Sequence, residues 1–321
     1  MRPIRTISRP ASRVADPRRP RTGPAGPGRL GRDLVTLVRP GQWAKNLIVV
    51  PVPLIDQESW RLASIWQVGW AVLTFTVAAT MVYIVNDIFD RHRDRGHPTK
   101  RHRPIAAGQV SVAAALVLVV ALGGLLLGLV SLQPWSWSWP IAAYLLLSFA
   151  YSMGLKHVPP IDVFVVASGF ALRLALGYVA AQTEISGWLL TCVFSLCLLL
   201  TVGKRRQELA ATRGEHRPAL RGYTIALADQ LMVLSAVITA GTYLLYLRTE
   251  APLGAYGLAA AVLSAPLALF GLFRYLQLIS VHHSGENPVR TLLRDPPLVV
   301  NSLVWMVVSG SFLLASHISQ T

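Results

Sequence analysis

The residues best equipped for chemistry stand in one run, NDIFDRHRDRGHPTKRHRPIAAG at 86–108, which holds three aspartates, six Arg or Lys and three histidines. If this run continues a helix, each position turns by about 100°, so Asn86, Asp90, Asp94 and Asp87 fall at about 0°, 40°, 80° and 100°. Four oxygen-bearing side chains thus share one narrow arc. Carboxylates that close repel one another unless a cation sits between them. Mg2+ suits the set, because it takes hard oxygen ligands and is typically held by one or two carboxylates plus substrate phosphates. The spacing predicts a metal site of Asn86, Asp87, Asp90 and Asp94, with the three aspartates acting in catalysis through it. Lys100, Arg101 and Arg103 follow closely and can meet the phosphates. The competing reading is a charged loop whose arginines neutralise the acids in surface pairs of little worth. His92, His97 and His102 are five apart, a poor helical pattern for a metal, and read as loop or phosphate-contacting residues at most.

The run follows directly on WQVGWAVLTFTVAATMVYIV, and this apolar character is general. The chain of 321 residues is 53% hydrophobic and 14% charged, where a soluble domain has about a quarter of its residues charged. Nine segments have the length of a membrane helix: 41–57, 64–88, 110–132, 138–155, 161–181, 187–205, 224–247, 254–280 and 297–317. The expected fold is all-α, a polytopic bundle in the cell membrane. The first segment is the weakest, since it carries Lys45, Asn46 and prolines. The tryptophan-rich PWSWSWP leads into the fourth as an interfacial belt. Cys192 and Cys197, five apart within one span, face different ways and form neither a disulfide nor a metal pair.

Residues 1–33 differ from the rest, being rich in Arg, Pro and Gly, and are expected to form a disordered basic tail in contact with anionic headgroups or simply solvated. Residues 34–321 form the membrane domain. Connections and tail on one side of the spans carry twenty-five Arg or Lys, against Arg61 and Arg248 on the other. The positive-inside rule therefore places the tail and the acid-bearing connection in the cytoplasm. The net charge of +15 belongs to these loops; no aromatic-interleaved basic groove points to nucleic acid.

A second group stands after the sixth span, in TVGKRRQELAATRGEHRPALRGYT. Lys204, Arg205, Arg206, Arg213, Arg217 and Arg221 face only Glu208 and Glu215 as acids, so this connection suits a cationic phosphate clamp and not a second carboxylate site. Lys204 and Glu208 are also placed to pair along the helix. On the fifth span Gly169 and Arg173 fall at about −20° and +20° from Asp162, and Arg173 lies about 16 Å deeper. A charge at that depth faces a partner or a wet cavity.

NDIFDRHRD has the form NDxxDxxxD and resembles the first aspartate-rich motif of the UbiA-type prenyltransferase superfamily; DRGHPTKRHRPIAAG resembles its DRxHPxKxxRPIAxG continuation. The superfamily consists of nine-helix intramembrane enzymes that bind a diphosphate substrate through Mg2+. Most of its members carry a second aspartate-rich motif where this chain has KRRQEL. RPGQWAKNLIVVPVPL at 39–54 and YSMGLKHVPPIDVFVVASGFALRLALG at 151–177 resemble a phosphoribosyl-transferring branch, and the likeness covers about residues 34–320. It implies transfer of 5-phosphoribosyl from 5-phosphoribosyl 1-diphosphate to a polyprenyl (decaprenyl) phosphate, with release of pyrophosphate, toward lipid-linked arabinose for cell-wall arabinan. It also implies that Lys45, Asn46, Tyr151, Lys156 and Asp162 join Lys100, Arg101, Arg103, Arg173, Lys204, Arg205, Arg206 and Glu208 in holding substrate. Snorkelling is the alternative for Lys45 and Lys156. Assembly into a homo-oligomer fits the resemblance, although no contact surface is marked. The rival activity on the same fold moves a prenyl group from a prenyl diphosphate to an aromatic acceptor. A transporter or lipid flippase is the rival from another class, disfavoured because the charges cluster at one face and no matching halves are seen.

Overall fold

A computed structural model describes residues 27–57, 61–97, 99–212, 218–281 and 294–320. Among these residues every regular element is a helix. In chain order they are α1 (Pro27–Val38), α2 (Ala44–Val49), α3 (Leu62–Arg95), α4 (Val112–Ser131), α5 (Ser138–Met153), α6 (Ile161–Ala181), α7 (Gly187–Thr212), α8 (Ile225–Thr249), α9 (Gly257–Ser280) and α10 (Pro296–Gln320). Successive long helices pack side by side: α3 on α4, α5 and α6, then α6 on α7, α7 on α8, α8 on α9 and α9 on α10. The protein is an all-helical membrane bundle.

Among the described residues seven helices are long and apolar enough to cross a membrane: α3, α4, α6, α7, α8, the α9 region and α10. The two other expected spans differ from expectation. Residues 138–155 give α5, only 16 residues long, or about 24 Å against a hydrocarbon core of about 30 Å. Residues 41–57 are not one helix. Short α2 is flanked by 3₁₀ turns at Pro40–Gln42 and Val52–Asp56. Pro51 and Pro53 lack the N–H that a continuing helix would need. This broken segment nevertheless runs the length of the bundle, since Arg39 reaches Asp87 at one end and Gln57 Nε2 donates to the Ala181 carbonyl at the other. It lies directly against α6, where a Cβ on Gly177 would stand 2.2 Å from the Val50 carbonyl oxygen. Only glycine permits that approach.

Helix also begins at Pro27, inside the stretch expected to be an unstructured tail to residue 33; residues 1–26 lie outside the described residues. The reason is local amphipathicity. Leu37 on α1 is fully buried against Ile84, Ile105, Val110 and Ala115.

Two apolar clusters build the interior. One joins α3, α4, α5 and α6 around Phe75, Leu126, Tyr144 and Leu176; the other joins α6 to α9 around Val163, Leu199, Met232 and Ile279. The 34 residues of α3 span about 51 Å, longer than the hydrocarbon core. Its excess length carries Asn86 to Asp94 to the end of the bundle where α6 begins and α7 ends. Ser111, Thr224 and Asp295 accept from backbone N–H groups at the starts of α4, α8 and α10 on this same end.

Candidate active site

The helix holds through Arg95, so the four oxygen-bearing residues of α3 do share one arc. Each is met by a partner from another element. Asp87 Oδ1 accepts from Arg39 Nη2 at 2.5 Å and from Arg103 Nη1 at 3.0 Å. The same Arg103 nitrogen is 2.7 Å from Asp94 Oδ2. Asp90 Oδ1 accepts from Lys156 Nζ at 2.5 Å, and Ser152 Oγ stands 3.4 Å from Asn86 Oδ1. Asp87 and Asp94 are buried, whereas Arg39 and Arg103 keep about a quarter of their side-chain surface exposed. The bases therefore lie on the open side of the acids.

This arrangement bears on a divalent cation. Among the described residues no three acidic, histidine or cysteine groups converge closely enough to hold a metal unaided. Two carboxylates do converge, on a single guanidinium nitrogen, and Asp90 lies on the same arc. That donor set fits a hard cation whose remaining ligands are water and substrate phosphate.

Beyond the α3 acids, Arg173 lies deep in the bundle and is 4% exposed. Its guanidinium donates to Asn46 Oδ1 at 2.7 Å and to the Gly169 carbonyl at 2.6 Å, and lies 4.8–5.0 Å from the rings of Phe75, Tyr144 and Phe170. No carboxylate stands among these contacts. The predicted common face of Asp162, Gly169 and Arg173 brings Arg173 to Gly169, while Asp162 meets other partners. Tyr83 lies under Arg39, whose guanidinium is 5.6 Å from its ring centroid, and Arg173 Nη2 stands 3.4 Å from the Tyr144 hydroxyl. Lys45 is exposed, within electrostatic reach of Arg173, Lys204 and Arg39. Asn46, fixed by Thr76 Oγ1 at 3.1 Å, is almost fully buried.

The base group on α7 is more enclosed. Asp162, fully buried in the first turn of α6, accepts from Arg205 Nε at 2.9 Å and Tyr223 Oη at 2.8 Å. Arg205 Nη1 also donates to Glu208 at 2.7 Å, and Tyr151 lies within its electrostatic reach. Arg206 donates to Asp229 on α8 and, at 2.8 Å, to the Ile279 carbonyl on α9. Its described contacts thus tie helices together and do not bring it to the α3 acids. Lys204 is half exposed, with Nζ 4.0 Å from Glu208. Lys100 and Arg101 are exposed on the turn after α3, where Arg101 meets His102, and Arg103 reaches the acids. His97 Nδ1 accepts from the backbone of Thr99 at 3.3 Å, the role of a loop residue. Arg213, Glu215 and Arg217 lie outside the described residues.

Arg39, Tyr83, Tyr144, Ser152 and Tyr223 join the site without having been marked by type or spacing. Arg39 opens the motif stretch RPGQWAKN, and Tyr83 lies one turn before Asp87 and about 40° from it. Those two were within reach of sequence reasoning; the others depend on packing.

The sequence profile of the UbiA prenyltransferase family matches residues 57–292. The chain belongs to the UbiA prenyltransferase family. This UbiA chain is 32% identical to the decaprenyl-phosphate phosphoribosyltransferase of Mycolicibacterium smegmatis, with 95% of the chain and 99% of the relative covered. It is 33% identical to the protein of that name from Mycobacterium tuberculosis (89% and 95% covered) and 35% identical to that of Corynebacterium glutamicum (68% of each). Its fold is similar to that of a UbiA homologue from Archaeoglobus fulgidus bound to GPP and Mg2+, with TM-score 0.64, 18% identity, and 89% and 98% of the two chains covered. The UbiA assignment makes the chain an integral, multi-pass membrane transferase.

Proposed function

We propose that this UbiA member transfers 5-phosphoribosyl from 5-phosphoribosyl 1-diphosphate to a polyprenyl phosphate and releases pyrophosphate. The observation that carries the reading is the asymmetry of the site. One carboxylate arc lies on α3, while α7 carries Lys204 and Arg205, with Glu208 already bonded by Arg205 and Arg206 turned away to Asp229. A donor and an acceptor that are both polyanions need more cations than a prenyl diphosphate paired with a neutral aromatic acceptor. The near full-length likeness to relatives named for phosphoribosyl transfer to decaprenyl phosphate supports it.

The lipid phosphate oxygen attacks the anomeric carbon of ribose as its bond to the diphosphate oxygen breaks, and pyrophosphate leaves with the electron pair. The nucleophile is already an anion, so no base has to take a proton. What the reaction needs is charge neutralisation and alignment. When bound, Mg2+ on Asp87, Asp90 and Asp94, with Asn86 beside them, supplies Lewis acidity toward the leaving diphosphate. Arg39, Arg103 and Lys156 hold the acids in place and stand beside any phosphate brought to them. Arg173 supplies positive charge from within the bundle, where charges normally face a partner or a wet cavity, and exposed Lys45 lies within electrostatic reach of it. Lys204 and Arg205 contribute from α7, with Lys100 and Arg101 at the approach. The basic end faces the cytoplasm in this reading, from which the soluble donor enters, while the lipid enters from the bilayer. The product is a precursor of lipid-linked arabinose for cell-wall arabinan.

The test is purified full-length protein with Mg2+, polyprenyl phosphate and labelled phosphoribosyl diphosphate. The expected result is a labelled lipid-soluble product formed one-for-one with pyrophosphate. Transfer from a prenyl diphosphate to an aromatic acid, with no labelled lipid from the sugar donor, overturns it.

A further inference from the structure

An apolar cleft of about 150 Å³ lies between α3 and α5, lined by Met81, Val82 and Val85 from one helix and by Leu145, Ser148 and Phe149 from the other. It is not the polar centre of the bundle. Around α3, Val82 and Val85 lie at about −40° and −100° from Asn86, whereas Asp90 and Asp87 lie at about +40° and +100°. Asn86 is the border between the two faces. At its polar end the cleft reaches buried Ser152, which stands 3.4 Å from Asn86 Oδ1. Four residues further, Lys156 holds Asp90 at 2.5 Å. The outer rim is aromatic and open: Phe89 and Phe149 meet edge to face with centroids 6.2 Å apart, and each is about half exposed. Leu146 and Met153 beside it are exposed as well, which in this membrane bundle means toward lipid.

We infer that this cleft seats the isoprenoid tail of the acceptor lipid phosphate, which enters sideways between α3 and α5 with its headgroup on Lys156. Charge complementarity and continuity both support that occupant. The apolar lining suits a hydrocarbon chain, and its one link to the arc is Ser152 beside Asn86, with the Lys156 ammonium four residues further along the chain on Asp90. A water-soluble sugar diphosphate gains nothing from such a lining. The inference rests on the phosphoribosyl-transfer reading, and it adds the route of the lipid and the helices that select it.

Val85→Phe and Ser148→Phe each fill the cleft without touching the acids or bases. Assayed in lipid nanodiscs with the full-length chain, each is expected to raise KM for polyprenyl phosphate about tenfold, since several buried methylenes are lost. KM for phosphoribosyl diphosphate is expected to stay near wild type, as is the rate with isopentenyl phosphate, whose tail is too short to lie along the cleft. Val120→Phe on the lipid-exposed face of α4 is the control. Because a filled cleft could also harm folding, the wild-type protein is tested in parallel with a polyprenyl phosphate carrying a diazirine in its tail. Adducts on Leu145–Phe149 that polyprenyl phosphate competes away, and phosphatidylglycerol does not, support the inference. Adducts confined to other helices, equal competition by phosphatidylglycerol, or an unchanged KM in both variants overturn it. If wild-type protein makes no phosphoribosyl lipid, the reading of the activity fails, while the photo-adducts still report on the cleft.

Discussion

The acids at the end of α3 and the bases at the end of α7 are both fully engaged in ion pairs, yet the two groups are built differently. On α3, Asp87 and Asp94 are buried beneath Arg39 and Arg103, which are about a quarter exposed, whereas in the third pair Lys156 is the more buried partner, at 9% against 20% for Asp90. On α7 both partners are buried in the central pair, with Arg205 at 4% and Asp162 at 0% exposure, and Tyr223 completes the second oxygen. Removing a partly exposed base from a carboxylate costs little, because water and substrate can replace it. Separating a pair that is wholly enclosed leaves an uncompensated charge in a poor dielectric. The Arg39 and Arg103 pairs are thus suited to exchange and the Arg205–Asp162 pair to permanence. Similar numbers of salt bridges mark a binding surface in one place and scaffold in the other.

Asp87→Asn is the strongest way to break that contrast. The amide keeps the shape and an acceptor for Arg39 and Arg103 but loses the charge that gathers a divalent cation and orients a diphosphate. Turnover is expected to fall about 10³-fold, with the unfolding temperature in detergent near wild type. A variant that unfolds early instead would show Asp87 to be scaffold like Asp162.

The reverse expectation holds for Asp162→Ala. It leaves Tyr223 without its acceptor and buried Arg205 with Glu208 alone, and is expected to cost about 3 kcal/mol of stability, the low end for a broken buried pair, measured by unfolding in detergent. Combining it with Arg205→Met is expected to recover most of that loss, since the enclosed charge is then gone from both sides. No recovery in the double variant would mean that Arg205 does its work elsewhere.

How much of this could be read beforehand depends on whether the signal is periodic. The arc on α3 was legible because four polar residues at helical spacing report a helix face directly, and the helix continues through all of them. Seven of the nine expected spans were legible from their apolar length. The segment 41–57 was not, because its course is set by prolines and by contact with Gly177 on a helix more than a hundred residues away. The partners of the charges were the least legible. Arg206 and Arg205 are adjacent in sequence, and only packing sends one to Asp229 and Ile279 and the other to Asp162. Gly177→Ala tests the packing that sequence hides. With the Val50 carbonyl 2.2 Å from the new methyl, α6 and the broken first segment must separate, at about 1–3 kcal/mol. Asn46 would then shift from Arg173, so a fall in activity is expected beside the loss of stability.

Lys204 carries the smallest effect and sharpens the comparison most. It belongs by sequence to the α7 group but is half exposed, its Nζ 4.0 Å from Glu208, and it lies within electrostatic reach of Lys45. By construction it resembles the exchangeable bases around α3 more than its neighbour Arg205. Lys204→Met is accordingly expected to change stability by no more than about 0.5 kcal/mol. If the amine meets a donor phosphate during turnover, KM for phosphoribosyl diphosphate rises about tenfold or somewhat more, the low end for one charge-assisted hydrogen bond. Steady-state kinetics and thermal unfolding on the same preparation separate the two quantities. An unchanged KM with reduced stability would place Lys204 with the scaffold and move the boundary between the two regions out to the surface of α7.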